Sequence, residues 1–167
     1  QAAGSGTAPK IAVVGAGAFG TALATVLAVP GNDIVLLGRN GEHMAAMASS
    51  RKNVRLAGVE IPDQVKPTAD ASRLGDRDII LMVVPSSAQA GTATLRVAQL
   101  APGSALVMCA KGLDRESGEP ITTKLAAIAP KHPLHVLSGP GFAADIARGL
   151  PTAMTLASGS MAEAEAM

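Results

Sequence analysis

The chain has 167 residues, 48% of them hydrophobic and 16% charged, with a formal net charge of +1; this supports one globular domain with a sizeable core and is crowded for two. Two Phe without any Tyr or Trp provide neither a basic footprint nor a stacking platform, which excludes nucleic acid as the expected partner. Cys109 is the only cysteine, so no disulfide framework or cysteine metal cluster forms within the chain and a reducing, cytoplasmic setting fits best.

In chain order, the opening QAAGSGTAP lacks the basic start and apolar run of a signal peptide, and residues 1–9 read as an unstructured tail or an expression remnant. From Lys10 onward, apolar runs alternate with Ala-rich segments of helical period. Strands are predicted at Ile11 to Val14, Asp33 to Leu37, Val65 to Thr68, Ile79 to Val84, Ala105 to Cys109, Leu134 to Leu137 and Thr152 to Leu156. Helices are predicted at Ala18 to Ala28, Glu42 to Arg51, Ser87 to Ala101, Pro120 to Ala129 and Pro140 to Arg148. Continuous apolar strands separated by helices call for a mostly parallel sheet covered on both faces. The expected class is α/β, doubly wound and Rossmann-like, over residues 10–167. No apolar run reaches the roughly 18 residues of a membrane span. The closing SGSMAEAEAM reads as a helix start, capped by Ser158 or Ser160, after which the chain stops; the expectation is a truncated protein.

The segment KIAVVGAGAFGTALA places Gly15, Gly17 and Gly20 after a buried strand and at the opening of a helix. In such a loop the first glycine allows a tight turn, the second lets backbone approach a pyrophosphate, and the third lets helix and strand pack closely. The helix N-terminus then offers free N–H groups to phosphates. NAD-preferring proteins carry an acidic residue at the end of the second strand; here the sequence is LLGRN. Gly38 removes that carboxylate and Arg39 can pair with a 2′-phosphate, which tilts the expectation from NAD toward NADP. A solvated Arg39 lying over the adenine is the competing reading.

Ligands of open parallel sheets bind outside the carboxyl ends of the strands. In VVPSS, Pro85 ends the ladder and Ser86 or Ser87 can cap the next helix, with the backbone walling the crevice. In CAKGLD, Lys111 is the one charged group at the edge, and Gly112 lets the chain turn sharply. In LSGPGFAADIARG, Ser138 can cap, Pro140 suits an early helical position and Gly149 closes the helix. That leaves the N–H groups of Gly141, Phe142 and Ala143 free for an anion. His43, His132 and His135 read as structural or solvated, with no metal site; KHPLH is expected to precede its strand at the opposite edge.

In this order and spacing, IAVVGAGAFGTALA, LLGRN, VVPS, AKGL and LSGPGFAADIARGLPTA resemble the N-terminal domain of bacterial NAD(P)-dependent glycerol-3-phosphate dehydrogenases over essentially Lys10 to Ala157. The resemblance implies reversible reduction of dihydroxyacetone phosphate to sn-glycerol 3-phosphate by NAD(P)H, supplying phospholipid backbones. It also implies cofactor contacts at Gly15, Gly17, Ala18, Phe19, Gly20, Arg39, Pro85, Lys111 and Ala143, substrate contacts at Lys111, Gly139 and Gly141, and homodimerisation of the full-length protein. Two positions depart from the family pattern. Ala18 and Phe19 stand where Ser and Trp are common, and Gly141 stands where Ser or Thr is common. The family's general acid/base lysine belongs to a helical C-terminal domain, expected beyond Met167, so this chain alone is expected to bind cofactor and turn over negligibly. A related hydroxy-acid dehydrogenase domain and a non-catalytic redox-sensing module remain alternatives.

Overall fold

The computed structural model describes residues 7–109, 113, 117–139, 141–165 and 167. Its frame is a seven-stranded sheet in the order β3-β2-β1-β4-β5-β6-β7. The strands are β1 (Lys10–Val14), β2 (Asp33–Leu37), β3 (Val65–Thr68), β4 (Ile79–Met82), β5 (Ala105–Met108), β6 (Leu134–Ser138) and β7 (Thr155–Ala157). Every neighbouring pair is parallel except β6 with β7. Strand order turns back between β1 and β4, which opens a crevice at the carboxyl edge.

Helices α1 (Ala18–Leu27), α2 (Gly41–Ser50) and α5 (Ala143–Ala147) cover one face, with α3 (Ser86–Arg96) and α4 (Ile121–Ile128) on the other; a short α6 (Met161–Glu165) follows β7. The two faces follow from the period of two along each strand. Ile11, Val13, Ile34 and Leu36 pack with Leu23, Met44, Met47 and Ile146. Their alternates Ala12, Val14, Val35 and Leu37 pack with Leu74 and Ile80. Further along, Met82 and Met108 meet Ala93, Ile121 and Leu125 of α3 and α4. The apolar runs expected of a two-sided sheet are therefore buried on both sides.

Several boundaries differ from expectation. The fourth strand stops at Met82 rather than Val84, and at its end the buried Gln89 amide donates to the Met82 and Val84 carbonyls at 3.0 and 2.8 Å, tying the strand end to α3. Neither Ser86 nor Ser87 caps α3; Pro85 occupies the cap position without a side-chain bond. That helix ends at Arg96 and tightens into a 3-10 turn over Val97–Gln99, short of the expected Ala101. Helix α2 is capped by Asn40, whose side chain accepts the His43 N–H at 2.9 Å.

The expected last strand, Thr152 to Leu156, is displaced to Thr155–Ala157 and runs antiparallel. The chain re-enters the sheet from the carboxyl edge and runs backward. His135 lies inside β6, within the strand expected at Leu134 to Leu137, paired with Val107 and bonded through Nδ1 to the Ser158 hydroxyl; of KHPLH only residues 131–133 precede the strand. His132 Nδ1 meets the Ser104 carbonyl at 2.9 Å. Among the described residues no helix is long and apolar enough to cross a membrane.

Candidate functional site

A cleft of about 750 Å³ opens at the carboxyl edge where strand order reverses, walled by Gly15 to Gly17, by Gly38 to Asn40 and by Val83 to Pro85. Its floor is the glycine loop. Gly15 has φ +119°, and a Cβ there would lie 2.0 Å from the Val83 carbonyl oxygen, so the turn and the approach of β4 both demand glycine. A Cβ on Gly20 would lie 1.9 Å from the Gly15 carbonyl oxygen. The third glycine thus seats the helix first against the loop carbonyl, with the strand expected from its spacing represented by Val13 Cγ1 at 3.5 Å.

Gly17 differs from both. It has an ordinary φ of −76° and is the N-cap of α1, and a Cβ there would meet nothing within 4 Å. Steric conflict within the chain does not explain glycine here; open space beside a helix start does. Helix α1 has no side-chain cap, so the N–H groups of Ala18, Phe19 and Gly20 lack intrahelical acceptors and are available to an anion.

The second wall follows from β2. Gly38 is buried, and a Cβ there would lie 2.2 Å from Met44 Sδ and 3.2 Å from Ala16 Cβ. The missing side chain at the end of β2 is thus a packing requirement of α2 as well as the absence of a carboxylate. Beside it Arg39 is exposed, lines the cleft, and has no hydrogen-bond or ion-pair partner among the described residues.

Of the residues predicted from sequence, Gly15, Gly17, Arg39 and Pro85 line one cleft, with Ala18, Phe19 and Gly20 in the adjoining first turn of α1. Gly139, Gly141 and Ala143 gather separately, at the end of β6 and the start of α5, which packs on α1. A Cβ on Gly139 would lie 2.6 Å from the Ala153 carbonyl oxygen, and one on Gly141 would lie 2.9 Å from Thr152 Cγ2. Lys111, Gly112 and Pro140 lie outside the described residues.

The start of α5 corrects the sequence reading. Ser138 is the last residue of β6, Phe142 is the cap, and Asp145 and Ile146 bond back to the Phe142 carbonyl. The free N–H groups therefore shift toward Ala143 and Ala144. Gly149 does close the helix, at φ +70°. Its N–H bonds to the Ile146 carbonyl and that of Leu150 to the Asp145 carbonyl, forming a Schellman motif.

Sequence reasoning missed several cleft residues. His43 lines the wall, and its Nε2 is buried without a partner among the described residues, which fits the structural rather than the solvated alternative and adds a cleft position that the sequence reading did not give it. Arg55 and Arg96 add guanidinium groups, and among the described residues no carboxylate lines the cleft. Asn40 carried a recognisable signal, an Asn directly before a helix. Arg55 carried none, since it lies in an irregular loop far from the glycine motif in sequence. Cys109, at the end of β5, has its thiol pushed up to about 12 by burial, which makes it a poor nucleophile. Among the described residues no cluster of three or more His, Cys, Asp or Glu is arranged to hold a metal ion.

Comparison with known proteins gives this arrangement a family context. A family profile described as NAD-dependent glycerol-3-phosphate dehydrogenase N-terminus matches residues 10–164. A glycerol-3-phosphate dehydrogenase [NAD(P)+] of Agrobacterium fabrum is 49% identical over 158 residues, covering 93% of this chain and 48% of that protein. Its Bradyrhizobium sp. counterpart is 45% identical over 157 residues, covering 94% and 48%. The crystal structure of a Coxiella burnetii glycerol-3-phosphate dehydrogenase superposes with TM-score 0.88 at 31% identity, covering 96% of this chain and 50% of that one. A Plasmodium falciparum glycerol-3-phosphate dehydrogenase, at 16% identity and TM-score 0.81, shares the fold over 93% of this chain and 47% of its own. The chain spans about half the length of the curated relatives it matches.

Proposed function

The chain belongs to the NAD-dependent glycerol-3-phosphate dehydrogenase family, within its N-terminal part, and from this premise we propose that the cleft holds NAD(P) for a cytoplasmic enzyme interconverting dihydroxyacetone phosphate and sn-glycerol 3-phosphate. The observation that carries the reading is the glycine loop at the crossover. Gly15 and Gly20 are demanded by backbone contacts, whereas Gly17 is backed by open space next to unpartnered N–H groups. That combination fits a pyrophosphate lying against backbone.

In this reading the N–H groups of Ala18, Phe19 and Gly20 bind the pyrophosphate and Arg39 meets the adenosine end, favouring a 2′-phosphate. Phe19, Pro85 and Ala143 bound the nicotinamide half, and Gly139, Gly141 and Lys111 supply the substrate side. When bound, the cofactor donates or accepts the hydride. The chain's own part is to orient it, to exclude water with the apolar walls of Val83, Val84 and Pro85, and to stabilise charge developing on the substrate oxygen with Lys111. Proton transfer is assigned to a lysine of the full-length protein outside this chain.

Calorimetric titration of this chain with NADPH and NADH tests the reading. Saturable one-to-one binding of both, tighter for NADPH, is expected, with negligible turnover of dihydroxyacetone phosphate. Failure to bind either dinucleotide would overturn the cleft assignment, tighter NADH binding would overturn the preference, and robust turnover would overturn the location of the acid.

A further inference from the structure

We propose that Arg55 is a specificity-determining residue of this cleft, forming with Arg39 a two-guanidinium seat for the 2′-phosphate of NADP, and that Asn53 is the positioning residue that holds it there. The proposal rests on the cofactor reading above and adds two residues remote from the glycine motif.

The first observation is a tether. Asn53 is 2% exposed, and its Nδ2 donates to the Ala16 carbonyl at 3.2 Å and the Thr21 hydroxyl at 2.7 Å. Ala16 lies between the first two glycines of the loop, and Thr21 lies on α1. The other end of the same amide, Oδ1, accepts the Arg55 N–H at 3.0 Å. One buried side chain thereby joins the floor of the cleft to the backbone of Arg55. The loop is closed further on by Arg51, whose guanidinium donates to the carbonyls of Ile61 and Val65 at 3.1 and 2.9 Å. Arg55 is therefore presented from a loop pinned at both ends.

The second observation is charge. Arg55 lines the same cleft as Arg39, and neither guanidinium has a hydrogen-bond or ion-pair partner among the described residues; Arg96, also lining the cleft, bonds Gln99 at 3.2 Å. By contrast, Arg77 is engaged with Asp33 and Asp76, and Arg51 with backbone carbonyls. Two guanidinium groups without partners, lining one cleft where no carboxylate stands among the described residues, suit a dianion, which each can bind with a planar fork of donors. The pyrophosphate is already served by the N–H groups of α1, so the remaining dianion of an NADP-sized ligand is the 2′-phosphate.

The test titrates this chain and its R55A, R55K and N53A variants with NADPH and NADH by calorimetry, with thermal melting to track folding. Arg55→Ala is expected to weaken NADPH binding by roughly 10- to 50-fold, the scale of a lost charged hydrogen-bonding group, and to leave NADH within about 2-fold. Arg55→Lys, a point charge without the fork, should recover part of the loss. Asn53→Ala should lower the melting temperature and also reduce the NADPH-to-NADH affinity ratio, which a purely structural residue would not move. An unchanged ratio in R55A, or equal weakening of both dinucleotides, overturns the assignment of Arg55 while leaving the cofactor reading intact. A lower melting temperature with an unchanged ratio in N53A overturns the positioning role. Binding of neither dinucleotide by the unaltered chain overturns both the cofactor reading and this inference.

Discussion

The two regions that share the carboxyl edge are built differently. Around the glycine loop, β1 and β2 are buried on both faces, with Val13, Ile34, Val35 and Leu36 fully inaccessible, and α2 is a ten-residue helix with a side-chain cap. Around Gly139 and Gly141 the supports are slight. Strand β7 has three residues, none fully buried, α5 has five with Ile146 as its one buried anchor, and its cap residue Phe142 is 80% exposed. The difference teaches that the proposed cofactor region is shaped by fully buried strands of the domain's core, whereas the proposed substrate region leans on that core through one buried anchor, Ile146, and half-buried neighbours such as Ala143, Ala147 and Met154.

The sharpest way to break this contrast is Gly15→Ala. It would force a Cβ onto the Val83 carbonyl at a positive φ, with an expected loss of about 3 kcal/mol or more and abolished dinucleotide binding. Urea denaturation reads the first and calorimetry the second; a loss under about 1 kcal/mol would show that the loop relaxes freely.

Next in size is Ile146→Ala, expected to cost about 2–3 kcal/mol through the cavity it leaves. Amide exchange should locate the damage. Protection falls most across α5 and β7 and persists in β1 and β2 if the two regions unfold separately despite sharing the core around Ile146, whereas uniform loss would erase the distinction.

A smaller effect belongs to the base of the first region. The Arg77 guanidinium, bonded to Asp76 at 2.9 Å, holds that carboxyl below the ordinary 3.8 against partial burial, with Lys10 assisting. Because the folded value lies below the unfolded one, the stabilisation is complete above about pH 4 and is lost as pH falls through the folded value. Asp76 is half exposed, so the contribution is a fraction of about 1 kcal/mol. Asp76→Asn should flatten the acid limb of the stability profile; an unchanged limb would assign it to other groups.

The smallest expected effect is chemical. Native Cys109 should resist alkylation at pH 8 and react readily after unfolding, since burial raises its thiol to about 12. Rapid labelling of the folded chain would place the end of β5 in a more open environment than the core it adjoins.

How much was legible follows the range of the interactions. The second strand, the α1 start and the role of Gly15 and Gly20 are readable because an apolar β-branched run and a strand–glycine–helix junction are local patterns. The α5 start was misread, since Ser138 suits a cap but is used by β6. Gly38 was read as a missing carboxylate, yet its burial against Met44 and Ala16 shows a packing constraint that no local pattern reveals.

By itself, then, the sequence determined the parallel α/β ladder, the phosphate-type loop and the family to which the motifs point, because each depends on periodicity or on backbone freedom over a few neighbouring residues. Tertiary structure alone decided that β7 runs backward, that His43 and Arg55 join the cleft, and that Asn53 reaches Ala16 across 37 residues of chain. Those outcomes depend on which distant groups meet when apolar faces are buried, and burial is indifferent to sequence separation.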